Sequence, residues 1–385
     1  VLLFAYKEDA QPTKVVDLTS GEKIPAHIVA ALSDVSVIKH AFNAAFEWIC
    51  LNRAGYFTPI EQWRCTMIHG LYCGYPAGLE AIGKAIGLPE DKQKLSAGKA
   101  LINYFCKPCK STKSNGSRSR NLPKHAPEKW ELFKDYNRQD VEAESSILKK
   151  LEPYPVPDAT WSAWVEDIGI NSRGVAIDDR LLTGALSLDD MSTAELVDEA
   201  RAITGLSNPN SNAQLLGWVI AQGIDVDNLR KETVSDLLEG DLPENVRAAL
   251  ELRQKLGKSS VSKYKAMADA RGKDGRVRGL LQFYGANRTG RWAGRLVQVQ
   301  NLPRNYIKTL DEARELVRAA NYRGLKLIYG NVPDTLSQLI RTAFIPADGK
   351  KFIVSDFSAI EARVIAWLAG ENWVLDVFKS GGDIY

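Results

Sequence analysis

Prolines occupy alternate positions in Glu152-Pro-Tyr-Pro-Val-Pro157. No helix or central strand can cross such a run, because each proline lacks an N–H and fixes its own φ. The run therefore divides the chain. Before it, short apolar stretches alternate with helical patterns, as in an α/β domain: 35–38 has the pattern of a strand, and 44–54 and 79–87 those of helices. The strongest helix there spans 129–151, with Phe133, Tyr136, Asp140, Ala143 and Ile147 on one stripe at steps of three and four. After the prolines, 160–275 is mainly helical, with helices expected over 177–182, 191–204, 211–222 (Ser211 as N-cap) and 243–271, the last broken near Gly257. β patterns return after Arg278, and 351–355 has the pattern of a buried strand feeding a helix over 358–368.

Composition narrows the class. With 45% hydrophobic and 25% charged residues, the chain matches soluble globular proteins and not disordered, collagenous or disulfide-scaffold ones. No apolar run reaches the roughly twenty residues that span a bilayer. The opening Val1-Leu-Leu-Phe-Ala-Tyr6 lacks the basic head of a signal peptide and is expected to be the interior of a longer reading frame. Five cysteines without framework spacing fit a reducing compartment, and a cytoplasmic location is expected. Cys106-Lys-Pro-Cys109 has only His125 nearby and is expected to be a loop, not a zinc site.

The net charge of +3 conceals a segregation. Residues 158–254 hold 7 basic and 18 acidic side chains, a net of −11, whereas 255–308 hold 13 basic against Asp269 and Asp274, a net of +11. A stripe of that density suits a polyanion, because each neutralised phosphate releases condensed counterions, although a solvated basic face has the same composition. A second basic run, 107–129, is laced with Ser and Gly and is expected to be a loop.

The carboxyl-terminal string Ile353-Val-Ser-Asp-Phe-Ser-Ala-Ile-Glu-Ala-Arg-Val-Ile-Ala-Trp367 sets Asp356 at a strand end and Glu361 in the first turns of a helix anchored by Ile360, Val364, Trp367 and Leu368. A carboxylate there can meet a divalent ion or cap the next helix. Asp356, Phe357, Ser358, Ile360, Glu361 and Arg363 together resemble motif A of the family A DNA polymerases. The resemblance implies that Asp356, with the Phe357 carbonyl, holds two Mg²⁺ ions for phosphoryl transfer to a primer 3′-hydroxyl. It also implies that Ser358 belongs to the dNTP site and that Glu361 excludes a ribose 2′-hydroxyl by a clash built against the wrong substrate.

Upstream, Thr289-Gly-Arg-Trp-Ala-Gly-Arg-Leu-Val-Gln-Val-Gln-Asn-Leu-Pro303 resembles the Thr-Gly-Arg block of the same family. By that resemblance Arg291 reaches the minor groove at the primer terminus, Gln300 and Asn301 contact template-primer, Arg288 and Arg295 face DNA, and Arg304 contacts triphosphate. Such minor-groove donors check pair shape without reading sequence. Asn208-Pro-Asn-Ser-Asn-Ala-Gln-Leu-Leu216 and Lys258-Ser-Ser-Val-Ser-Lys-Tyr264 resemble thumb segments, with Lys258, Lys263 and Tyr264 gripping duplex backbone.

In the amino-terminal region, His40-Ala-Phe-Asn-Ala-Ala-Phe-Glu47 and Tyr136-Asn-Arg-Gln-Asp140 resemble the second and third motifs of the DEDD 3′–5′ exonucleases. The resemblance makes Asn43, Glu47, Tyr136 and Asp140 catalytic residues, with Glu47 and Asp140 as ligands to two metal ions. Many members have Asp where this chain has Glu47. The first motif, Asp-x-Glu, is absent and is expected upstream of Val1.

The expectation is thus an RNase H-like α/β exonuclease domain (1–152), a mainly helical thumb and connector (153–275), and the first part of an α+β polymerase palm (276–385). The implied function is that of a proofreading DNA-directed DNA polymerase, of phage or prophage type by the Trp164–Val175 segment, with primer-template DNA, dNTPs and replication accessory proteins as partners. The fingers and the third polymerase motif follow motif A in this family, so residues 1–385 alone are expected to add no nucleotide. The alternatives are a stand-alone exonuclease with a non-catalytic polymerase-like tail and a primer-template-binding module.

Overall fold

The computed structural model describes residues 2–89, 98–257, 261–286, 288–382 and 384. They form two compact units, Val1–Phe344 and Ile345–Tyr385. The expected boundaries after 152 and 275 both fall inside the first.

The amino-terminal region has the alternation its sequence implied. Strands Leu3–Tyr6 and Lys14–Asp17 pair antiparallel, while Lys39–Ala41 and Trp63–Cys65 pair in parallel across a connection containing helix Ala44–Arg53. Residues 35–38 are not a strand, and Val35 and Ile38 are exposed. Asp34 accepts hydrogen bonds from the Ser36 N–H and hydroxyl at 2.8 and 2.7 Å. This side-chain turn overrides the β-branched pattern and delays the strand to Lys39.

Helix Pro127–Leu151 supports the region. It buries Trp130, Phe133, Tyr136, Ala143, Glu144, Ile147 and Leu151 along its inner stripe. Phe105 stacks on Phe133 at 5.6 Å and meets Trp130 edge-on at 4.9 Å, geometries that add to the area buried.

After the prolines come helix Asp158–Arg173 and an unbroken helix Asp179–Thr204, where two were expected. Asp178 caps it through the Leu181 N–H, and Gly205 ends it in the left-handed conformation. The interior Gly184 does not break it because the glycine permits close packing: a Cβ there would lie 1.8 Å from the Val317 carbonyl oxygen of helix Leu310–Arg318. Ser211 caps helix Asn212–Ala221, and the long helical stretch expected over 243–271 resolves into Glu244–Leu256 and Ser262–Ala270. The largest core joins Leu181, Leu188, Tyr264, Met267, Val297, Val317, Leu325 and Leu336.

In the second unit, residues 351–355 are not a strand, and Ile353 and Val354 are each 89% exposed. A buried strand needs a ladder partner and cover on both faces, and no described strand pairs with this stretch. Helix Ile360–Ala369 packs on helix Asn372–Lys379 through Ala366, Val374 and Phe378. Ile360, Val364, Trp367 and Leu368, the expected anchors, are exposed instead. None of the described helices is long and apolar enough to cross a membrane.

Candidate functional site

The residues identified in the sequence fall into three groups along the chain. The first lies in the amino-terminal α/β region. Asn43 takes a left-handed conformation at the start of helix Ala44–Arg53, which carries Glu47 in its first turn. Tyr136 and Asp140 sit one turn apart on helix Pro127–Leu151, and the phenol hydrogen-bonds the carboxylate. Tyr136 is buried and stacks on Phe133 at 6.1 Å. Gly98 makes room for it, since a Cβ there would come within 2.0 Å of the ring. Burial, then the Asp140 charge and hydrogen bond, holds the phenol far above its ordinary pKa, so it is a neutral donor.

Glu47 has one carboxylate oxygen, Oε2, that is buried and without a hydrogen-bond partner. Burial, together with the charges of Glu144 and Asp140, pushes its pKa up to about 7. Glu144 was not foreseen, although it lies one turn beyond Asp140 on the stripe that named Tyr136. It is buried, accepts from the Thr66 hydroxyl, and is itself raised to about 7, mainly by burial. Among the described residues, no three His, Cys, Asp or Glu side chains are close enough together to hold a metal ion. A buried carboxylate oxygen lacking a donor, beside a second carboxylate, nevertheless fits a hard cation, which takes oxygen ligands.

The second group lies on a β-hairpin. Strand Leu281–Ala286 pairs antiparallel with Arg291–Gly294, and Arg291 stands opposite Ala286. The register slips between Gln282 and Ala286, where Tyr284 adopts φ +55°, and a bulge of this kind re-aims the side chains beyond it. Arg288, Arg291, Arg295, Gln300, Asn301 and Arg304 are all exposed. Lys263 is half-buried and donates to the Val297 carbonyl at 2.6 Å; burial lowers its pKa. Tyr264 is a correction: it is fully buried, and its hydroxyl donates to the Leu336 carbonyl at 2.8 Å. Tyr264 lies on the inward face of helix Ser262–Ala270, so it does not offer its ring or hydroxyl to a duplex backbone as expected. Lys258 lies outside the described residues.

A further residue that sequence reasoning missed stands behind the hairpin. Asp167 is buried on helix Asp158–Arg173 and accepts from the Trp292 indole N–H at 2.8 Å and from the Asn171 amide at 3.1 Å. An acid within the Trp161, Trp164, Ile168 stripe was the available signal.

The third group is in the second unit. Asp356, Phe357, Ser358 and Glu361 are exposed, with Glu361 in the first turn of helix Ile360–Ala369. The Arg363 guanidinium lies 4.2 Å from the Phe378 ring centroid, and its Nε donates to the Ser358 carbonyl at 2.8 Å. This ties the turn after Asp356 to the helix pair. The Asp356 carboxylate and Phe357 carbonyl are both hard oxygen donors, the kind a magnesium ion takes.

Residues 189–385 match the model of DNA polymerase family A. Over 388 aligned positions the sequence is 51% identical to the DNA polymerase of Bacillus phage SP02, covering 100% of this chain and 59% of that protein. A stretch of 57 residues, 14% of the chain, is 42% identical to thermostable DNA polymerase I of Thermus thermophilus, covering 7% of it. The fold is similar to the polymerase domain of Pol1 from M. smegmatis, solved with DNA primer-template and dNTP: the TM-score is 0.54 at 14% identity, over 97% of this chain and 57% of that one. The chain thus spans less than two thirds of the phage relative and of this structural neighbour. The match over the carboxyl-terminal half includes the Thr-Gly-Arg hairpin and motif A, and on that match the chain belongs to DNA polymerase family A.

Proposed function

We propose that the protein carrying this chain is a DNA-directed DNA polymerase that proofreads with a 3′–5′ exonuclease. In this reading residues 1–152 are the exonuclease domain, 153–275 the thumb and connector, and 276–385 the beginning of the palm. The observation that carries it is the motif A string, whose Asp356 and Glu361 are both exposed within the region matching the family.

Asp356 and the Phe357 carbonyl would hold divalent ions at the polymerase centre, and Glu47 and Asp140 would do so at the exonuclease centre. Such ions stabilise charge on the transferring phosphoryl group and make a hydroxyl or water nucleophilic. The protein's own residues do the rest. Glu361 fills the volume a 2′-hydroxyl needs. Arg291 and Gln300 offer donors to minor-groove acceptors, which occupy similar positions in every Watson–Crick pair. Tyr136, neutral across the working pH range, donates a hydrogen bond and moves no proton.

The test is primer extension by the protein from the full reading frame, with dNTPs and rNTPs compared. Template-directed incorporation strongly favouring dNTPs is expected, and Glu361→Ala should narrow that preference. Equal use of both sugars by the unmodified protein would contradict the role of Glu361, and no extension at all would contradict the polymerase reading.

A further inference from the structure

An aspartate on an apolar helix face costs free energy unless its oxygens find donors. Asp167 is such a residue, on the stripe of helix Asp158–Arg173 that also buries Trp161, Trp164 and Ile168. Every donor it meets leads to the hairpin. The Trp292 indole N–H reaches Oδ1 at 2.8 Å, the Asn171 amide reaches Oδ2 at 3.1 Å, and the Phe283 backbone N–H supplies a third hydrogen bond. Asn171 continues the link, because its amide accepts from the Leu281 N–H and donates to the Leu281 carbonyl, both at 3.0 Å. An asparagine used this way imitates a neighbouring strand.

Leu281, Phe283 and Trp292 are thereby held by two helix residues one turn apart. Successive side chains of a strand point to opposite faces. Trp292 stays 43% exposed, but its N–H bond to Asp167 and its edge-on contact with Phe283 at 5.0 Å turn the ring toward the helix, and this alternation sets its strand neighbour Arg291 on the opposite face. The same helix packs Trp161, Trp164 and Ile168 into one cluster with Leu51, Trp63, Ile68, Leu71 and Phe283. The hairpin is thus built onto the amino-terminal α/β region through this helix.

We propose that Asp167 and Asn171 are positioning residues for primer-terminus recognition: they set the hairpin so that Arg291 meets the terminal base pair. This rests on the polymerase reading of Arg291. It assigns the helix after the prolines a part in DNA binding that it performs without touching DNA.

The test is equilibrium binding of labelled primer-template DNA, followed by anisotropy at fixed salt, to the protein from the full reading frame. Arg291→Ala should weaken binding on the order of tenfold. Asp167→Asn turns an amide N–H toward a donor and should weaken it several-fold alone but add little in the Arg291→Ala background, since it acts through that arginine. Trp292→Phe keeps the ring in place and removes one donor, and it should show the same non-additivity in a protein whose fold is not at risk. Full additivity of both variants with Arg291→Ala, or wild-type binding by both, would overturn the positioning role while leaving the polymerase reading intact. Unchanged binding by Arg291→Ala itself would instead overturn the reading of the arginine, and the positioning role with it.

Discussion

Glu144 is buried with its carboxyl against the Thr66 hydroxyl, and its charge is one of those that raise the pKa of Glu47. Burial makes the neutral acid the favoured form and raises its pKa to about 7. The folded state then holds its proton more tightly than the unfolded chain does. The resulting stabilisation is fully present below the unfolded carboxyl value and is lost as pH rises through the folded one. Urea midpoints measured without divalent ions should therefore fall as pH rises toward neutrality and just beyond. Glu144→Gln keeps an acceptor for Thr66 but cannot ionise, so it should flatten that slope and stabilise the protein at mildly alkaline pH by on the order of 1–3 kcal/mol. A difference between the two proteins that does not vary with pH would contradict this account. The pairing of Tyr136 with Asp140 was legible in the sequence, because the i, i+4 spacing puts both on one helix face. Glu144 and Asp167 were not, because each acquires its role from partners 78 and 125 positions away.

Elements follow the sequence most closely where local chemistry decides. Ser211 and Asp178 cap the helices that follow them because a side-chain oxygen satisfies an otherwise orphaned N–H. Helix Asp179–Thr204 also covers 183–190, which lay between two expected helices, and the reason for Gly184 in that stretch is tertiary. Gly184→Ala should cost about 1–3 kcal/mol in chemical denaturation, since the new Cβ meets backbone that cannot yield cheaply. Gly217, inside helix Asn212–Ala221 with nothing within 4 Å of a Cβ, is the control, and Gly217→Ala should stabilise by roughly 0.5–1 kcal/mol. Equal effects at the two glycines would refute the packing explanation. Asp178 adds a second role to its cap: it accepts from the Arg318 Nε at 2.9 Å, tying helix Leu310–Arg318 to the start of its neighbour. Asp178→Ala should lose about 2–3 kcal/mol, more than a cap alone, because it also removes one of the two carboxylates, with Glu315, that pair with the partly buried Arg318 guanidinium. A loss near 1 kcal/mol, the usual worth of a cap, would show that the pair contributes nothing.

At the scale of the molecule, the α/β-then-helical order was legible because three prolines end one pattern before the next begins. The strand expected over 351–355 was not observed, because apolar residues can specify a strand's pattern and not its partner. The charge segregation has a direct consequence for DNA. A stripe of 13 basic residues over 255–308 should make primer-template binding fall steeply with salt, and Arg288→Ala with Arg295→Ala should reduce the slope of log K against log salt by about one per lost phosphate contact. A slope unchanged by both substitutions would remove those arginines from the DNA-facing set. A protein with both a polymerase and an exonuclease centre should show two activities that single substitutions remove one at a time, read in parallel assays of primer extension and 3′-end degradation by the full reading frame with Mg²⁺. Asp356→Asn should abolish extension and leave degradation, while Asp140→Asn should abolish degradation and leave extension; extension by Asp356→Asn at the unmodified rate would rule out the polymerase centre.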